Sequence, residues 1–214
     1  MGEVIEARAV IAARGAGEDR IHHRSNGTGG EWVVADGAGG MAGGAAAADR
    51  ADWLLSHHSI TCCPDELAYR LSEFDDQLHR DDLVGEVAAV HVAIIDQDVI
   101  SASVGDCEAW LIDRRDINRM TTGQSRKPLL GSGISLPRPF HTELTPGATL
   151  LIGTDGLFKY AAPAVIAEHC AHPDLNTVID RLVDAVRLPS GGLQDDIAVV
   201  AVRRSMDQVA RIGF

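Results

Sequence analysis

The apolar residues of the chain fall in short runs, several with partial alternation, broken by glycine-rich and acidic turns. Val4 to Arg14 (VIEARAVIAAR), Glu31 to Ala35, Glu86 to Ile95 (EVAAVHVAII), Val99 to Val104, Ala109 to Ile112, Thr149 to Gly153 and Ile197 to Val202 are expected as strands, about seven in all. The Gly-Asp pair between Val104 and Ala109 suggests two strands joined by a turn, and Arg24 to Gly30 (RSNGTGG) reads as a hairpin loop. Met41 to His58 is expected to be helical, its small residues permitting close packing while Trp53, Leu54 and Leu55 add apolar bulk. Pro64 opens a second helix with Leu67, Leu71, Phe74 and Leu78 on one face. Pro163 to Cys170 and Leu175 to Arg187 form a later pair, the second striped by Val178, Leu182, Val183 and Val186. Strands, two helices, strands, two helices and a strand do not alternate as a parallel sheet requires. The order suits an antiparallel sandwich with helices on its outer faces.

Composition narrows this further. A chain of 214 residues, 45% of them apolar, with no polar linker, is expected to form a single domain over 1–214 with a core of about 4–203. The net charge of −12 argues against a nucleic-acid surface, because phosphate backbones are held by clustered Lys and Arg. An acidic protein still binds phosphate when a cation stands between them. No signal-like N-terminus and no apolar run near the roughly 18 residues of a membrane span is present, so the expectation is a cytoplasmic protein without membrane contact. Cys62, Cys63, Cys107 and Cys170 lack metal-ligand spacing and are expected as free thiols.

The chemistry gathers at the strand ends. In WVVADGAGGMAGG, Trp32 to Gly44, an apolar strand ends in Asp36 and a glycine-rich turn. Gly37 to Ala42 fits the dinucleotide pattern G-x-G-x-x-A, but that unit needs a second strand and an acid about 20 residues on, and a second helix comes instead. The acid itself is the recurring feature. It returns in SVGDCEAWLI at Asp106 and LLIGTDGLFKY at Asp155, and the pair Asp195-Asp196 of GGLQDDIAVVAV precedes another strand. Any one Asp-Gly is ordinary turn chemistry. Several carboxylates converging on one mouth repel unless cations neutralise them, and an all-oxygen donor set selects magnesium or manganese.

Together DGAGG, GDCEAW, GTDGL and QDDIAVVAV resemble, in order and spacing, the motifs of the metal-dependent serine/threonine protein phosphatases, the PPM or type 2C family, over roughly Val4 to Arg203. The resemblance implies an α+β fold, a four-layer α-β-β-α sandwich of two mainly antiparallel sheets flanked by helix pairs. It implies hydrolysis of phosphoserine and phosphothreonine on proteins at a binuclear manganese or magnesium centre. Asp36 would bridge the two ions, the Gly37 carbonyl would meet one, and Asp155 and Asp195 would hold the other. Arg14-Gly-Ala-Gly-Glu18-Asp19 keeps the family's spacing of an arginine before an acidic pair, so Arg14 would bind the substrate phosphate and Glu18 would reach the second metal through water. Asp106 matches an acid for a third, weaker ion. The glycines of DGAGG would let the backbone turn tightly so that a carbonyl faces metal. A phosphorylated protein substrate and a serine/threonine kinase or its targets are the implied partners.

Several positions depart from the family. Ala38 stands where many members carry a histidine, and His22, His23 and His141 read as surface or loop residues. Glu108 replaces an arginine, and Asp195-Asp196 stands for an Asp-Asn pair. Met120 to Leu130 (MTTGQSRKPLL) is short and lacks the paired helices of the usual flap, leaving a more open mouth in which Arg126 and Lys127 add a little positive charge on a solvated loop. These changes leave an alternative function, a catalytically weak phosphatase-like binding or regulatory module.

Overall fold

The computed structural model describes residues 3–25, 29–38, 43–56, 58–81 and 84–206. Gly39 to Ala42 of the first acidic motif, His57 of the expected Met41 to His58 helix and the middle of the Arg24 to Gly30 loop lie outside them. The described strands form two five-stranded antiparallel sheets. One runs β1 (Glu3–Ala12), β10 (Ile197–Met206), β9 (Thr149–Gly153), β6 (Glu108–Asp113), β7 (Asp116–Arg119). The other runs β2 (Asp19–Ser25), β3 (Gly29–Gly37), β4 (Val87–Ile95), β5 (Asp98–Val104), β8 (Arg138–Glu143).

The central strands are near-continuous apolar runs because both of their faces are covered. In β3, Trp32 and Val34 point between the sheets, where they meet Leu150, Ile152, Val200 and Val202. Val33 and Ala35 point the other way, under Leu54, Leu67, Leu71 and Phe74. That outer layer consists of α1 (Gly44–Asp49), α2 (Trp53–Ser56) and α3 (Pro64–His79). The outer face of the first sheet, with Trp110, Leu151, Val199 and Ala201, is closed by Ile166 of α5 (Pro163–Cys170) and by Val178 and Leu182 of α6 (Leu175–Ala185). A further short helix, α4 (Asp155–Phe158), follows β9 directly. The four-layer α-β-β-α sandwich expected from the sequence is the architecture observed. No described helix is long and apolar enough to cross a membrane.

The structure corrects the element boundaries in four places. Ten strands are present among the described residues rather than about seven, the additional ones being β2, β7 and β8. The expected Met41 to His58 helix is broken by a 3-10 turn at Arg50–Asp52 between α1 and α2. Strand β3 runs two residues past Ala35, so Asp36 and Gly37 belong to the sheet and are held by its ladder. The Gly105-Asp106 segment does not close a hairpin, because β5 and β6 lie in different sheets. It carries the chain from one layer to the other and so places Asp106 at the end of the sandwich.

All the acidic motifs meet at that end, where β3 and β9 finish and β2 and β10 begin. Contact between two of them depends on Gly156. A Cβ there would lie 1.8 Å from the Asp196 carbonyl oxygen, so only glycine lets α4 rest on the Asp195-Asp196 turn. Gly156→Ala is therefore expected to force the two segments apart and to destabilise the protein by roughly 1–3 kcal/mol, as overpacking at a rigid contact does. Chemical denaturation checks this, and an unchanged midpoint would show that the contact yields.

Candidate active site

At the end of the sandwich lies a cavity of about 310 Å³ whose lining includes Glu18, Asp19, Asp36, Asp106, Asp155, Asp195 and Asp196. Gly37, Ala38, Ala88 and Leu129 complete the wall, together with one cation, Lys127. Six of the residues singled out from the sequence, Glu18, Asp36, Gly37, Asp106, Asp155 and Asp195, are thus brought to one surface. Arg14 is not among the lining residues. Its guanidinium donates instead to the Gln194 carbonyl at 3.3 Å, on an exposed rim.

The deepest element of the site is a carboxylate pair. Asp19 at the start of β2 stands directly opposite Asp36 in the β2–β3 ladder, and only 2% of Asp19 is exposed. The Thr154 hydroxyl donates to Asp19 Oδ2 at 2.7 Å and itself accepts from the Ala198 amide at 2.9 Å. The Asp19 charge therefore bears on Asp36 across the ladder and disfavours its ionised form. Burial, above all, raises the pKa of both above the usual carboxylate range, and for Asp36 the charges of Asp19, Asp155 and Asp106 add to it. Asp155 is raised for the same first reason, with Asp106 and Asp195 reinforcing it and Lys159 opposing. Sequence reading passed over Asp19 as a site residue because the strand that carries it was not recognised.

The last acidic pair divides its work. Asp196 Oδ1 accepts the Arg14 amide at 2.7 Å and Oδ2 the Glu18 amide at 2.8 Å, so both oxygens tie the 14–18 loop to the mouth. Asp195 keeps a more open carboxylate, with Lys159 Nζ 3.9 Å away. Lys159 also approaches Asp155 Oδ2 at 3.7 Å. The Gly37 requirement differs from the one expected. Its φ is not left-handed, and the constraint is close packing, since a Cβ would sit 2.5 Å from the Gly44 carbonyl carbon at the head of α1. Glu108 accepts the Trp110 indole N–H at 2.5 Å, which is where its charge is engaged. The His22 ring meets the Ala48 carbonyl and His141 meets Asp98, and neither lines the cavity. The four cysteines are free thiols, Cys107 and Cys170 buried.

Oxygen donors crowded in a desolvated cleft with little positive charge fit hard divalent cations. Among the described residues no three acidic, histidine or cysteine side chains close on a single point as a finished chelate. Mutual repulsion among the carboxylates opposes such closure until a cation offsets it.

This sandwich with acidic residues converging at its mouth defines the metal-dependent phosphatase fold of the PPM type. The family model for stage II sporulation protein E (SpoIIE) matches residues 31–205, and the chain belongs to that family of PPM-type phosphatase domains. No curated protein matches it in sequence. Among solved structures, a bacterial serine phosphatase superposes with a TM-score of 0.82 at 20% identity, over 96% of this chain and all (100%) of the other. The catalytic domain of the serine/threonine phosphatase PstP, in complex with two manganese ions, gives 0.80 at 17% identity over 95% and 100%. PppA, a key regulatory component of the type VI secretion system (T6SS) in Pseudomonas aeruginosa, gives 0.79 at 17% identity over 95% and 100%. At these identities the likeness establishes the fold.

The buried pair makes a prediction about stability without metal. Because the folded pKa values of Asp19 and Asp36 lie above their unfolded value of 3.8, the folded state binds more protons than the unfolded state above that pH, and stability falls as pH rises. Asp36→Asn removes this penalty. In chelator the variant is expected to melt higher than the wild type at pH 8 by about 1 kcal/mol or more, roughly 2–4 °C for a chain of this size, with the gap narrowing towards pH 5. Melting curves at the two pH values check it, and a wild type more stable at both would contradict the repulsion.

Proposed function

We propose that the chain is a metal-dependent hydrolase of phosphoserine and phosphothreonine monoesters on proteins. The observation that carries this reading is the convergence of seven acidic residues on one cavity, with Asp19 and Asp36 paired across the β2–β3 ladder at its base. Under this reading Asp36, the Gly37 carbonyl, Asp155 and Asp195 would hold two manganese or magnesium ions, with Glu18 assisting and Asp106 available to a third, weaker one. Those ions supply Lewis acidity and a water acidic enough to ionise near neutral pH, suited to in-line displacement at phosphorus.

The chain's own residues prepare the place. Asp36 would act as a ligand in its ionised form, and Asp19, fixed by Thr154, stands beside it to hold its orientation. Asp196 keeps the 14–18 loop at the rim, so Glu18 faces the cavity and Arg14 stands within a short loop of it. Arg14 exchanges the Gln194 carbonyl for substrate phosphate, a stronger, charge-assisted partner. Ala38, Ala88 and Leu129 leave the mouth without a competing acid or base on those walls. A cytoplasmic phosphoprotein, the product or target of a serine/threonine kinase, is the partner this chemistry suits.

A second reading, a weakly catalytic regulatory module, draws on Ala38, which offers no proton to a leaving group, and on Arg14 standing away from the cavity. Phosphate release from a phosphothreonine peptide and from p-nitrophenyl phosphate separates the two. The hydrolase reading expects turnover with manganese or magnesium, none with chelator, and a loss of at least about a hundredfold in Asp36→Asn, in line with removal of a metal-centre group. A folded, manganese-binding wild type with no turnover on either substrate would favour the regulatory module.

A further inference from the structure

Lys127 is the one cation that the cavity lining contains among the described residues. The sequence makes it an ordinary solvated loop lysine, but the connection that carries it is fastened on both sides. Before it, the Ser125 carbonyl accepts the Gly105 amide at 2.8 Å and Gln124 Nε2 donates to the Cys107 carbonyl at 3.0 Å. After it, Leu130 exchanges two backbone hydrogen bonds with Val87, at 2.9 and 3.1 Å. The segment is therefore stapled to the two residues that flank Asp106 and to the start of β4. The short connection does not leave the mouth bare. It delivers a side chain there.

The charges around the cavity distinguish Lys127 from the other cations nearby. Lys159 is engaged with Asp155 and Asp195, and Arg14 is turned to the Gln194 carbonyl. Lys127 forms none of the ion pairs or hydrogen bonds found among the described residues. A free ammonium beside a cluster of carboxylates that keeps no salt bridge with them is suited to an anion entering over them. Ions held by the carboxylates would reverse the sign of the floor and leave a phosphate between two positive surfaces. We infer that Lys127, presented by the stapled 124–130 connection, forms the outer half of the phosphate subsite and contacts the phosphoryl oxygens of the substrate. The inference rests on the hydrolase reading for its substrate, while the subsite itself requires only that phosphate bind.

The test is calorimetric titration of inorganic phosphate into the manganese-loaded wild type, Lys127→Ala, Lys127→Arg and Arg14→Ala, with manganese titrations of each alongside. Lys127→Ala is expected to weaken phosphate by about ten- to hundredfold, the effect of losing one charge-assisted hydrogen bond, with manganese bound as tightly as before and Lys127→Arg restoring most of the affinity. Unchanged phosphate affinity in a Lys127→Ala protein that still binds manganese would overturn the assignment. Steady-state assays separate it from the parent reading. Lys127-dependent phosphate binding without any phosphomonoester turnover in the wild type would leave the subsite and remove the hydrolase. Turnover in Lys127→Ala with wild-type KM and phosphate inhibition would do the reverse.

Discussion

Asp19 and Asp36 face each other across two adjacent strands, Asp19 buried and Asp36 half-buried at the floor of the cavity, and most of the mouth of the sandwich is arranged around that conflict. Two carboxylates so placed ionise together only at a cost, which burial and the neighbouring acids raise and a cation would offset. Asp106, Asp155 and Asp195 add to the same field from three other segments. The fold holds them there by rigid means: the β2–β3 ladder, the Thr154 hydroxyl, and close backbone contacts at Gly37 and Gly156 that admit no side chain. Positive charge bound there would relieve the repulsion, and this links the architecture to the proposed metal centre.

The two ends of the sandwich sequence contribute unequally to this arrangement. The β10 side supplies both an open acid, Asp195, and a structural one, Asp196, whose two oxygens fix the loop between β1 and β2. Adjacent residues of the same type thus serve different purposes, and an Asp in place of the family's Asn is compatible with the structural one because both of its oxygens accept backbone amides. Glu108, the other departure, turns its charge to the Trp110 indole and stays out of the cavity.

Much of this was legible in the sequence. Strands β3, β4, β9 and β10 lie at the centres of the sheets, and their apolar runs announced them. The strands that escaped, β2, β7 and β8, are all at sheet edges, where one side of the ladder faces outward and polar residues such as His22, His23 and Arg24 or Asn118 and Arg119 break the alternation. Missing β2 concealed Asp19, since only its pairing with β3 shows that this acid stands opposite Asp36. The Asp-Gly motifs were readable as a set, but the reason for their glycines was not: it lies in which backbone packs against them across distant segments. The positive charge of Lys127 near the mouth was legible, but its fixed place in the cavity lining was not. Its place depends on hydrogen bonds from its loop to Gly105, Cys107 and Val87, and nothing in the local sequence names those partners.

The central claim is that the crowded carboxylates form a divalent-metal site whose pivot is Asp36. Calorimetric titration of manganese into the wild type and Asp36→Asn tests it most directly. The account predicts saturable binding by the wild type that is lost or weakened by at least about tenfold in the variant, as the removal of a charged metal ligand requires. A folded wild type that binds no manganese, or a variant that binds it equally well, would contradict the account.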